Sequence, residues 1–261
     1  MSLEESCSLY LKFVVNHCEG VWNSTEPGSS ILSLENIPSE VLKQLVVKID
    51  ALPGRKRLRL TVSQSGLRIR TLILDAPREV AMSELGALII DAYQTSSPGV
   101  DWLLHLKLPG SARQHHAILH LSKEPDWSAR PCIRGKNGVP SILMEVASEA
   151  SESMQDLHRD KDEWFQFPEV LTVILVKIWS RRQTSPDSIE LEVWTQTPNG
   201  PVIHTHWVHD ADTVQQVPDL VLEASNVFQH DELPPHFTSV TEIRVSSIHL
   251  QQYVLSVLEE I

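Results

Sequence analysis

Apolar positions along this chain change spacing several times. Residues 1 to about 20 place Leu9, Leu11, Phe13 and Val14 at helical intervals. A turn-rich stretch over 21–38 follows, with Asn23, Pro27, Gly28 and Ser29. Pro38-Ser39-Glu40 then opens a predicted helix that runs to Lys48. Next, Leu58 and Leu60 alternate with Arg57 and Arg59. After Gln64-Ser65-Gly66 the alternation returns with Arg68 and Arg70, which predicts a β-hairpin. Ala76-Pro77-Arg78-Glu79 begins a helix with Val80, Leu85, Leu88 and Ile89 as its stripe.

Beyond it the period becomes that of strands. Val100–Leu108 and Ala117–Leu121 are predicted strands. Ser141–Ala147 is apolar on both faces except at Glu145, which suits an interior strand of a mixed sheet. Ser148–Phe165 is helical, with Ser148 or Ser151 as N-cap. Leu171–Trp179 is a second central strand, and Ile189–Trp194 alternates as a strand with one wet face does. Strand, helix, strand and hairpin in this order predict an α/β sheet with a packed crossover helix. Residues 1–75 read as an α+β extension and 76–261 as the α/β core, the two forming one compact body. No internal repeat is present.

Charge narrows the functional classes. The net charge is -12. From Gln183 onward there are twelve acidic residues against one basic residue, Arg244; the first 182 residues hold 22 acids and 21 bases. Avid, non-specific nucleic-acid binding is disfavoured, because phosphate neutralisation needs a basic footprint. A local basic segment does exist: Arg55, Lys56, Arg57, Arg59, Arg68 and Arg70, with no acid between Asp50 and Asp75. It reads as the solvent face of a hairpin or as a phosphate-facing ribbon. No apolar run approaches membrane-spanning length. The first residues carry Glu4 and Glu5 where a secretory signal carries positive charge. Cys7, Cys18 and Cys132 have neither a disulfide framework's number nor zinc-site spacing. The expectation is an intracellular protein, cytoplasmic or nuclear, without a membrane partner; a homodimer and a small-molecule ligand are compatible with the chain.

A lone carboxylate in a strand buried on both faces needs a cation, a metal or a hydrogen-bond network, since burying it unpaired costs several kcal/mol. Glu145 is such a residue. Asp126, in Lys123-Glu124-Pro125-Asp126-Trp127, follows the preceding strand. Two carboxylates at adjacent strand ends can hold Mg²⁺, which lowers the pKa of a bound water and stabilises charge on a phosphate. The plainer readings are a turn residue for Asp126 and an arginine-paired structural acid for Glu145.

Pro125-Asp126 followed by Glu145-Val146 resembles the PD-(D/E)XK phosphodiesterase superfamily. Leu157, Asp160 and Trp164, then Leu171–Trp179 and Ile189–Trp194, extend the likeness to a family of fungal proteins of restriction-endonuclease-like fold. The resemblance spans roughly residues 117 to 200. It implies a restriction-endonuclease-like mixed central sheet flanked by helices, and a Mg²⁺-dependent nuclease with Asp126 and Glu145 as metal ligands. The superfamily lysine, two residues after the second acid, is Ala147 here. Lys161, on the core-facing stripe of the next helix, is the candidate to replace it, or else a lysine snorkelling at the stripe edge. Two alternatives stand beside the nuclease: an inactive member of the fold, and one recruited to small-molecule (secondary-metabolite) chemistry in a Trp-lined apolar pocket. His204, His206 and His209 form a His-x-His-x-x-His run that could bind metal with Asp210 or Asp212, and His115-His116 reads as a loop pair. Nucleotide-binding glycine loops, nucleophile elbows and C-x-x-C pairs are absent from the sequence.

Overall fold

The computed structural model describes residues 2–23, 31–52, 58–64, 66–71, 76–99, 101–116, 121–148, 152–180, 187–210, 217–238 and 241–261. In chain order these hold α1 (Leu3–Asn23), β1 (Ile31–Leu34), α2 (Ser39–Asp50), β2 (Leu58–Val62), β3 (Leu67–Thr71), α3 (Ala76–Ser96), β4 (Leu106–Lys107), β5 (Gln114–His116), β6 (Leu121–Lys123) and β7 (Trp127–Pro131). Then come β8 (Ile142–Ala147), α4 (Met154–Trp164), β9 (Thr172–Trp179), β10 (Ser188–Thr195), β11 (Val202–Asp210), β12 (Leu220–Glu223), β13 (Glu242–Val245) and α5 (Ser247–Glu259). The architecture is mixed α/β. No helix among the described residues is long and apolar enough to cross a membrane.

The chain divides into two compact units. The first comprises Met1–Leu74, Arg113–Glu124 and Ala150–Glu152. Its antiparallel sheet has the order β1-β3-β2-β6-β5. Arg113–Glu124 belongs here because β6 pairs with β2, Val62 opposite Ser122. Leu58, Leu60, Leu67 and Ile69 turn to a core shared with Val41, Leu42, Leu45 and Ile49 of α2 and Cys7, Val14 and Cys18 of α1. The hairpin alternation is therefore realised in β2 and β3, while Arg55, Lys56 and Arg57 lie outside the described residues. Arg113 forks onto Asp50 (3.0 and 2.8 Å) and bonds Glu124 (2.9 Å), so acids of the same unit engage it.

The second unit comprises Asp75–Ala112, Pro125–Glu149 and Ser153–Ile261. Its six-stranded sheet has the order β11-β10-β9-β8-β7-β4. β8 and β9 are parallel, joined by the α4 crossover, and the other pairs are antiparallel. One face, built from Ile142, Met144, Val146, Ile174, Val176, Ile178, Leu191 and Val193, packs into the core with α3 and α5. The other carries Leu143, Glu145, Ala147, Leu175, Lys177, Glu190, Glu192 and Trp194, and α4 lies against β8 and β9.

Two predicted boundaries move. α4 starts after Ser153, not Ser148 or Ser151. The Ser153 hydroxyl accepts from the Asp156 N–H, and the Asp156 carboxylate accepts from the Ser153 N–H, a reciprocal capping box. Of the expected strand Val100–Leu108, Val100 lies outside the described residues, and the remainder is strand only at Leu106–Lys107. Asp101 accepts from the Leu103 N–H at 2.9 Å and winds Trp102–Leu104 into a 3₁₀ turn. Of the expected strand Ala117–Leu121, residues 117–120 lie outside the described residues, and β6 begins at Leu121.

Arg134 ties the segment after β7 to Glu232 with two bonds, 2.6 and 2.7 Å. Burial alone would push the Glu232 carboxyl up. The Arg134 hydrogen bonds, the Gln229 N–H and the guanidinium charge bring it below its ordinary value. A lowered carboxyl contributes stability that is fully present above the ordinary carboxyl range and lost as pH falls through the lowered value. Glu232→Gln should remove that acid-limb dependence, read as urea unfolding free energy between about pH 6 and pH 2; an acid limb as steep as that of the wild type would contradict the assignment.

Gly86 of α3 offers a second test. A Cβ there would stand 2.6 Å from Nε1 of Trp127 on β7. Alanine in a helix interior gains about 0.5–1 kcal/mol over glycine, whereas overpacking costs about 1–3 kcal/mol. Gly86→Ala should therefore destabilise despite its helix propensity. An unchanged or higher urea midpoint would contradict the packing.

Candidate functional site

β7 and β8 pair with Trp127 opposite Met144. Asp126 immediately precedes β7, and Glu145 lies on β8 one residue past the Trp127–Met144 pair. β8 runs on past the end of the ladder with β7, and its polar backbone groups there need partners. Asp126 and Arg78 supply them at Val146. Asp126 Oδ2 accepts from the Val146 N–H at 2.9 Å. Arg78 Nε, in the first turn of α3, donates to the Val146 carbonyl at 2.9 Å. Arg78 Nη2 donates to Asp126 Oδ1 at 2.5 Å, with the two side chains 5% and 1% exposed. The ion pair thus closes a ring on one strand residue. Asp126, whose plainer reading from the sequence is a turn residue, is thus an arginine-paired acid.

Glu145 is fully buried. Its Oε1 accepts from Trp164 Nε1 of α4 at 2.6 Å. Indole is a donor only, so this bond suits a carboxylate. Lys161 is buried one turn earlier on the same helix. Its ammonium meets Asp162 Oδ1 at 2.6 Å and lies 3.9 Å from the Trp194 ring centroid on β10. These contacts take it towards β10.

A cation does stand beside Ala147. The parallel register sets Ala147 opposite Lys177. Lys177 is buried, donates to the Ser148 carbonyl at 2.6 Å and lies 4.8 Å from the Trp179 ring centroid. Sequence reasoning missed it although a signal existed: Lys177 is the one charge in Leu171–Trp179, as Glu145 is in its own strand.

The histidine run does not gather. β11 slips register where Val193 faces Thr205 and Trp194 faces Ile203, so His204 is the extra residue of a bulge. His209 turns to α5, its Nε2 3.2 Å from Gln251 Nε2, and Asp212 lies outside the described residues. His206 faces Glu192 across the strands, with its Nε2 3.0 Å from Glu190 Oε1. Glu192 Oε2 takes Trp194 Nε1 at 2.6 Å and meets His158 Nε2 of α4 at 2.8 Å.

Two clefts are open elsewhere. One of about 550 Å³ in the first unit is lined by Leu42, Lys43, Val46, Val62 and Arg113. One of about 410 Å³ in the second is lined by Glu84, Leu88, Asp91, His249 and Tyr253. Neither is lined by Asp126, Glu145 or Lys161. No family model matches the chain, and no curated protein matches it.

Removing one partner of a buried ion pair costs about 3–5 kcal/mol, because the survivor is left charged and desolvated. Arg78→Met and Asp126→Asn should each destabilise on that scale, and the double variant should lose clearly less than the two losses added. A double-mutant cycle in urea measures this; strict additivity would mean the pair does not act as a unit.

Proposed function

We propose that the chain is a restriction-endonuclease-like protein that does not cleave phosphodiesters, and whose motif acids now hold the sheet together. The antiparallel strands β4, β7 and β8, followed by the α4 crossover to the parallel β9, are compatible with such a core. So are an acid just before β7 and an acid within β8, in keeping with the resemblance of residues 117 to 200.

One observation carries the non-cleaving reading: the Arg78 guanidinium on Asp126. Mg²⁺ would need that carboxylate oxygen, near-octahedral geometry and several retained waters. Here one Asp126 oxygen accepts from a cation that is itself fixed to the Val146 carbonyl, and the other accepts from the Val146 N–H. Both acids are almost wholly buried, which leaves little room for metal-bound water. The residues do not fit the ion. The acid-rich last third argues in the same direction.

A hydrolytic reading has one observation in its favour. Lys177 stands beside Ala147, where the motif lysine is missing, and could supply that charge from the next strand.

Wild type, Glu145→Ala and Lys177→Met, incubated with Mg²⁺ or Mn²⁺ and single- or double-stranded DNA and RNA, separate the two. The non-cleaving reading expects all three to match the buffer trace. Cleavage by the wild type that both substitutions abolish would replace it with the hydrolytic one.

A further inference from the structure

We infer that the outer face of β10 and β11, with α4 beside it, is a site for a transition-metal dication of the Zn²⁺ class, held by Glu190, Glu192, His206 and His158. The inference is independent of the reading of Asp126 and Glu145.

The geometry gathers the donors from three elements. One ligand atom each from Glu190, Glu192 and His206 all lie within 4.8 Å of one another. Glu192 and His206 are cross-strand partners. Glu190 is two residues from Glu192 on the same face, about 6.6 Å along the strand. His158 reaches Glu192 from the helix, 2.8 Å between Nε2 and Oε2. Ligands about 2.0–2.2 Å from one ion stand about 3.3–3.6 Å apart in a tetrahedral site; Glu190, Glu192 and His206 come near that spacing, and His158 would complete the set by turning from its contact with Glu192.

The chemistry selects the class of ion. Two imidazoles with two carboxylates suit Zn²⁺, Co²⁺ or Ni²⁺; Mg²⁺ and Ca²⁺ prefer oxygen alone. Two carboxylates side by side on one strand repel each other, and a dication balances them. Trp194 Nε1 holds Glu192 Oε2 at 2.6 Å, the kind of outer partner that orients a ligating carboxylate. The site is open to an ion: the His158 and His206 side chains are 41% and 47% exposed, while that of Glu192 is 7% exposed. The Lys161 ammonium lies over Trp194 on this face and is engaged by Asp162.

Calorimetric titration with Zn²⁺, and Co²⁺ absorption, test the site on the full chain. Saturable binding of one ion is expected, with Co²⁺ bands of four-coordinate intensity. His206→Ala and His158→Ala change half-exposed side chains and should each weaken binding at least about tenfold, with far-UV circular dichroism unchanged. His204→Ala, at the adjacent bulge, should bind as the wild type does. No saturable binding would overturn the proposal, and so would binding that both His206→Ala and His158→Ala leave intact.

Discussion

The buried pair between Arg78 and Asp126 is the interaction on which the second unit turns. It sits just before β7 begins, beside the stretch of β8 that runs past their ladder, at the place where a sheet interior would otherwise expose the N–H and carbonyl of Val146. Two side chains 48 positions apart complete that ladder. The pair also fixes the first turn of α3 to the end of β8, which sets the helix over the apolar face. Its isolated value need not be large, since desolvating two charges offsets much of their attraction. Its removal in halves is what the fold cannot absorb.

The same reasoning orders the opposite face. Across β8, β9 and β10 the residues in lateral register are Glu145, Leu175 and Glu192, then Ala147, Lys177 and Glu190. α4 answers this row with Trp164 on Glu145 and His158 on Glu192. The row changes character along the sheet. At β8 it is sealed, and its acid is held by an indole. At β10 and β11 it opens to solvent, and its acids meet imidazoles. Chemistry that needs an exchangeable ion therefore belongs at the β10 end. The proposed structural role of Asp126 and Glu145 and the proposed metal site at Glu190 and Glu192 are two consequences of one gradient of burial.

Much of this was legible in the sequence. β8 and β9 are continuous apolar runs, and a lone carboxylate in one of them marked Glu145. The hairpin alternation at Leu58–Leu60 and the wet-face pattern at Ile189–Trp194 both map onto strands. What was not legible depends on register. Nothing local marks Arg78, an arginine in the first turn of a helix, as the partner of Asp126. The parallel register that sets Lys177 beside Ala147 is fixed by a crossover, so no sequence spacing encodes it. The α4 N-cap was ambiguous because several serines precede the helix, and the capping box with Asp156 decided for Ser153. The His-x-His spacing suggested a shared face, and the bulge at His204 removed it.

Magnesium titration calorimetry on the wild type and on Asp126→Asn tests the central claim most directly, because it asks whether that carboxylate is free to take an ion. With Arg78 in place, no saturable Mg²⁺ binding should appear in the millimolar range, and the two proteins should give the same trace. A saturating isotherm in the wild type that vanishes in Asp126→Asn would contradict the account.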